Sequence, residues 1–105
     1  MKKVLVVLFF VFSIFSFADT WLEDHIEDIL EQKYEYISDG TTRLELDIDV
    51  HERKNDVLIN VKVDDDYRNV KQNFNRSYYN KVIKEIEGTA KKEANGKKVI
   101  IKSIF

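Results

Sequence analysis

Asp47, Asp49 and His51 stand two residues apart in the run Arg43–His51. In an extended chain that spacing puts all three on one face, with neighbours about 7 Å apart. Carboxylate oxygens suit a hard divalent cation and an imidazole suits zinc. The triplet therefore reads either as a weak surface metal site or as a solvated sheet face neighboured by Lys62 and Lys102. The second histidine, His25, falls between an apolar stripe and an acidic helix face, where a hydrogen bond to a nearby carboxylate is the expected role. Asp64-Asp65-Asp66 lacks the ligand spacing and turn glycine of a calcium loop and reads as a helix cap.

Nucleophilic chemistry has little to draw on. Cysteine is absent, and Ser38, Ser77 and Ser103 have no glycine-framed elbow around them. Carboxylates are numerous enough for a small acid-based hydrolase. A domain of this size, however, offers little concavity in which to raise a carboxyl pKa. The expectation is a non-catalytic protein without a cofactor.

Charge is distributed unevenly. Between Asp19 and Asp66 lie sixteen acidic and five basic side chains, a balance of −11; from Tyr67 to Phe105 ten basic side chains face three acidic ones, a balance of +7. Such a division marks either a partner-binding surface or two halves that neutralise each other internally. In the internal version, Glu23, Asp24, Glu27, Asp28, Glu31 and Glu35 pair with Lys71, Lys81, Lys84, Lys91 or Lys92. In the binding version, Lys71, Lys81, Lys84 and Lys91 form a basic surface with aromatic content. That surface suits an acidic protein, an anionic membrane or, head to tail, a second copy of the chain. Export, argued below, removes nucleic acid from the expected partners. Leu58, Ile100 and Ile104 add a second candidate surface, an apolar patch on an open sheet face suited to strand addition or dimerisation. Trp21 reads as a core-edge residue or an exposed aromatic contact.

The elements that must position these residues follow from periodicity. Leu22, Ile26, Ile29, Leu30, Tyr34 and Ile37 recur at helical spacing, predicting a helix over Thr20–Ile37. Its start carries the capping-box pattern Thr20 to Glu23, and Gly40 ends it. Strict alternation over Arg43–His51 and again over Val57–Val63 predicts an antiparallel hairpin around a polar turn at Glu52–Asp56. Asp64–Asp66 then caps a second helix carrying Tyr67, Val70, Phe74, Tyr78, Val82, Ile86 and Ala90. Poor helix formers near Asn73–Ser77 leave open whether it is continuous or split. Asn95-Gly96 stops it, and Lys97–Phe105 is a third strand. The order predicts an α+β, two-layer α-β-β-α-β sandwich, with a three-stranded mixed sheet and two helices on one face.

The first residues read as a targeting segment. Met1-Lys2-Lys3 precedes an apolar run from Val4 to Phe17, too short for the roughly 20 residues of a membrane-spanning helix. Ser16 and Ala18 suit cleavage between Ala18 and Asp19. The expected organisation is a cleaved signal peptide over 1–18 and one domain over 19–105, exported to the periplasm or secreted, with the periplasm favoured.

In element order and compartment the stretch Thr20–Phe105 resembles the BON domain, a small bacterial envelope module of helices on a three-stranded sheet. The glycine of that family's first strand turn is missing from Glu52–Asp56 and the second helix is long for it, so no residue roles are carried over.

Overall fold

The computed structural model describes residues 21–105. The signal-peptide reading, the Ala18–Asp19 cleavage site and the Thr20 cap lie outside the described residues. The fold is α+β, with two helices and a mixed sheet of four strands rather than the expected three.

Within the described residues the first helix, α1, covers 21–34 and buries Leu22, Ile26 and Leu30 along one stripe. It stops three residues short of the expected end. Tyr36–Ser38 instead forms a short strand, β1. Ile37 fits the helical period, but it also fits a strand, where an aromatic and a β-branched residue are at home. The loop after it decides the matter. The Asp39 carboxylate accepts from the amides of Thr41 and Thr42 and from the Thr41 hydroxyl, and Gly40 takes a positive φ of 97°. These bonds turn the chain back on itself as a hairpin instead of closing a helix.

Strand β2 (Arg43–Glu52) runs antiparallel to β1 on one side and to β3 (Asp56–Val63) on the other. The alternation read from sequence holds: Leu44, Leu46, Ile48 and Val50 from β2, and Val57, Ile59, Val61 and Val63 from β3, are all buried. The final strand, β4 (Lys98–Ile104), lies parallel to β3, as a strand–helix–strand crossover requires.

Between β3 and the second helix the expected single helix divides. Asp64 caps a 3-10 turn over Asp65–Tyr67, a second such turn covers Lys71–Asn73, and helix α2 starts at Arg76 and runs to Glu93. Asn75 is its N-cap, its side-chain oxygen accepting from the Tyr78 amide at 2.9 Å. The same asparagine that weakens a helix interior thus opens a new one. Tyr79, Val82, Ile86 and Ala90 form the buried stripe of α2. They join the apolar side of α1 and the inner face of the sheet in one core.

Two side-chain contacts set the helices relative to each other. His25 Nε2 lies 3.1 Å from Glu93 Oε2, and the Tyr34 and Thr89 hydroxyls are 3.2 Å apart. The first described turns of α1 therefore meet the end of α2, and the two run in opposite directions over the sheet.

Candidate functional site

On the outer face of the sheet, register fixes the neighbours. Asp47 stands opposite Lys62, Asp49 opposite Asn60, and His51 opposite Leu58. Asp47 also faces the carboxylate of Asp64. Burial first, and the charge of Asp64 second, push the Asp47 carboxyl above its usual range. Glu45 is raised for the same two reasons. His51 turns the other way, its Nδ1 lying 4.0 Å from Glu23 Oε1 of α1. The triplet Asp47, Asp49 and His51 is thus divided between different partners. Among the described residues no group of three or more His, Cys, Asp or Glu is arranged to hold a metal ion. His25 packs flat on Trp21, with ring centroids 4.4 Å apart, while reaching Glu93. Trp21 is largely exposed.

The apolar patch is smaller than its three residues suggest. Leu58 and Ile100 are direct cross-strand neighbours and partly buried. Ile104 lies two rungs further along, beyond the pair Asn60 and Lys102, and is 72% exposed. A polar rung separates it from the other two.

The lysines fall into two groups. Lys71 is not on α2. It belongs to the second 3-10 turn, where its ammonium donates to the Phe105 carbonyl at 3.0 Å. The Arg76 guanidinium sits 4.3 Å over the Phe105 ring, and Tyr79 meets that ring edge-on. Lys71 therefore secures the end of β4. Lys81, Lys84, Lys91 and Lys92 are exposed and lie on the side of α2 opposite Val82, Ile86 and Ala90. They form one ridge pointing away from the sheet, with the exposed Gly88 at its middle.

The acidic residues of α1 are arranged in the same way. Asp24, Asp28, Glu31 and the adjoining Glu35 are exposed opposite Leu22, Ile26 and Leu30. Burial, followed by the charges of Glu27, Glu35 and Asp28, raises the Glu31 carboxyl above its ordinary value. Glu27 leaves this ridge for the sheet edge, where its carboxylate accepts from the Val50 amide at 3.3 Å. That bond satisfies an edge donor beyond the end of β1.

Internal neutralisation between the helices is not what the geometry gives. Among the described residues the ion pairs join His25 to Glu93, His51 to Glu23, Arg53 to Asp56, Lys91 to Glu87 and Lys97 to Glu52. None joins an acidic residue of α1 to a lysine of α2. The helices meet through His25 with Glu93 and Tyr34 with Thr89, and the remaining charges stand on the outer side. The helical layer thus presents an acidic ridge beside a basic ridge.

Two further features had no sequence signal. Thr41, Thr42, Arg43, Asp66, Tyr67, Val70 and Asn73 line an open depression of about 410 Å³, where the β1–β2 loop meets the 3-10 turns. Arg43 is held at its rim by the Tyr36 ring, 4.3 Å away. At the opposite end of the sheet, the Glu52 side chain is nearly covered and paired with Lys97, while its Oε1 has no hydrogen-bond partner. Both sites depend on distant segments meeting, which no local spacing encodes.

Comparison with protein-family models, with curated proteins and with solved structures gives no match to this chain.

Proposed function

We propose that this chain is a small exported, non-catalytic interaction domain that works through a protein or cell-envelope partner, with the helical layer as its binding face. One observation carries the reading: the acidic ridge of α1 and the lysine ridge of α2 lie side by side, exposed, and without ion pairs between them. Like charges crowded on an exposed face carry a cost that a partner of opposite charge relieves, and such a partner is steered at long range. Export rests on the charged start, apolar run and small-residue boundary at 1–18, with the periplasm as the favoured compartment.

Peripheral binding to an anionic membrane through α2 is the second reading, favoured by the exposed Lys81, Lys84 and Lys91 with Tyr78 on the same helix. Against it, a flat negative surface meeting this layer would also meet Asp24, Asp28, Glu31 and Glu35. A carboxylate-based hydrolase has weaker support still, since the raised carboxyls Glu45 and Asp47 lie on the outer sheet face outside the depression.

Reversing charge at Lys81, Lys84 and Lys91 together separates these readings. All three are exposed, so the fold is expected to survive. The variant is expected to lose salt-sensitive capture of an envelope component, and capture equal to the native protein would refute the helical layer as the binding face. Co-sedimentation of the native protein with anionic vesicles, lost with neutral lipid, would favour the membrane reading.

A further inference from the structure

We propose that the helical layer binds a second copy of this chain, in a two-fold pair that lays each acidic α1 ridge along the basic α2 ridge of the other copy. This inference rests on the interaction-domain reading and names its partner.

Placement makes the layer self-complementary. Each charged ridge lies opposite the buried stripe of its own helix, so both point away from the sheet. A two-fold axis running between the helices and parallel to them brings two such layers face to face. Each α1 then lies over α2 of the other copy and opposes its direction, as α1 and α2 do within one chain.

Length and spacing agree as well. From Asp24 to Glu35 and from Lys81 to Lys92 are equal numbers of residues, each about 16 Å at 1.5 Å per residue. The contacts of His25 with Glu93 and of Tyr34 with Thr89 give the alignment that the two-fold operation repeats. It sets Asp24 and Asp28 toward Lys91 and Lys92, and Glu31 and Glu35 toward the stretch from Gly88 back to Lys84, with Lys81 lying past the end of α1. Gly88, where an added Cβ would meet nothing within 4 Å, leaves a gap in the basic ridge opposite the crowded Glu31.

The contact is small. Two helices about 10 Å wide over this length cover about 640 Å² in total, below the range of stable complexes. The pair is therefore expected to be weak, rapidly exchanging and salt-sensitive, populated at about 0.1 mM protein rather than at nanomolar levels. A lone acidic protein could satisfy only the lysine ridge. A second copy satisfies both at once.

Sedimentation equilibrium on the chain from Asp19 onward, which carries the whole core described above, tests this. The native protein is expected to approach the dimer mass with rising concentration at low salt and to return to monomer in about 0.5 M salt. Asp28→Lys with Glu31→Lys should give a monomer, as should Lys84→Glu with Lys91→Glu, each with an unchanged circular dichroism spectrum. Mixed one to one, the two variants should form a dimer, because each now carries the charge the other lacks.

A native protein that stays monomeric throughout, variants that dimerise as it does, or a mixture that stays monomeric would each overturn the pairing. Species larger than a dimer would overturn the two-fold arrangement. A monomer that still captures a salt-sensitive envelope component, lost on reversing Lys81, Lys84 and Lys91, overturns self-pairing alone and leaves the interaction-domain reading standing.

Discussion

Asp39 holds more of the fold together than its place in a surface loop suggests. Its carboxylate accepts from the amides of Thr41 and Thr42 and, through the second oxygen, from the Asn75 amide at the start of α2. These donors hold its carboxyl well below the usual carboxylate range. Because the folded-state pKa is depressed, the contribution is fully present above the ordinary value near 3.8 and is lost as pH falls through the folded value. Asp39→Asn is therefore expected to lower the thermal midpoint at neutral pH. It should also flatten the fall in midpoint between about pH 5 and about pH 2 relative to the native chain. Equal midpoints at neutral pH would show that the three amides find other acceptors. Glu31 and Asp47 work in the opposite sense: their raised values mean that ionisation costs stability, and that cost is relieved in acid.

Among the elements, the division of the second helical region depends on Asn75. Its oxygen satisfies the Tyr78 amide, while Phe74, just before it, is buried in the core. Asn75→Ala is expected to cost about 1 kcal/mol, the ordinary worth of an N-cap, read as a shift of the denaturation midpoint with an unchanged slope. A neutral result would show that the Asp39 bond to the Asn75 amide is sufficient to start the helix. The two long strands, the parallel crossover and the Val82, Ile86 and Ala90 part of the α2 stripe were legible because each repeats one period over many residues. Tyr78 and Val70, expected in that stripe, are exposed, and Tyr79 is buried in place of Tyr78 because the helix starts anew at Asn75. Ile37 was not, since a three-residue strand is too short for its period to be told from a helical one. What makes it a strand is pairing with Leu44, a tertiary fact. The same limit explains Lys71. It reads as part of a basic helix, yet the helix begins five residues later and its ammonium is held by the distant Phe105 carbonyl. The lysines of the true helix and the acidic face of α1 were legible as charge, but that they avoid each other was not. The side from which the two helices meet depends on His25, Tyr34, Thr89 and Glu93 coming together across the fold.

At the scale of the whole molecule, the sheet and the helical layer carry different surfaces. The outer sheet face mixes Asp47, Asp49, Asn60, Lys62 and Lys102 with the neighbouring pair Leu58 and Ile100, so charge and apolar area are interspersed. The helical layer keeps its charges apart in two parallel ridges, a distribution with a strong local field despite a small net charge. A contact made through that layer leaves the outer sheet face untouched, and this separates it from association by strand addition or by apolar burial. The most direct measurement is an amide spectrum of the chain from Asp19 onward, followed at low salt from dilute to concentrated protein. The account predicts shifts confined to the outward positions of α1 and α2, among them Asp28, Glu31, Lys84, Gly88 and Lys91, and abolished by salt. Shifts centred instead on Leu58, Ile100 and Lys102, or unaffected by salt, would contradict it.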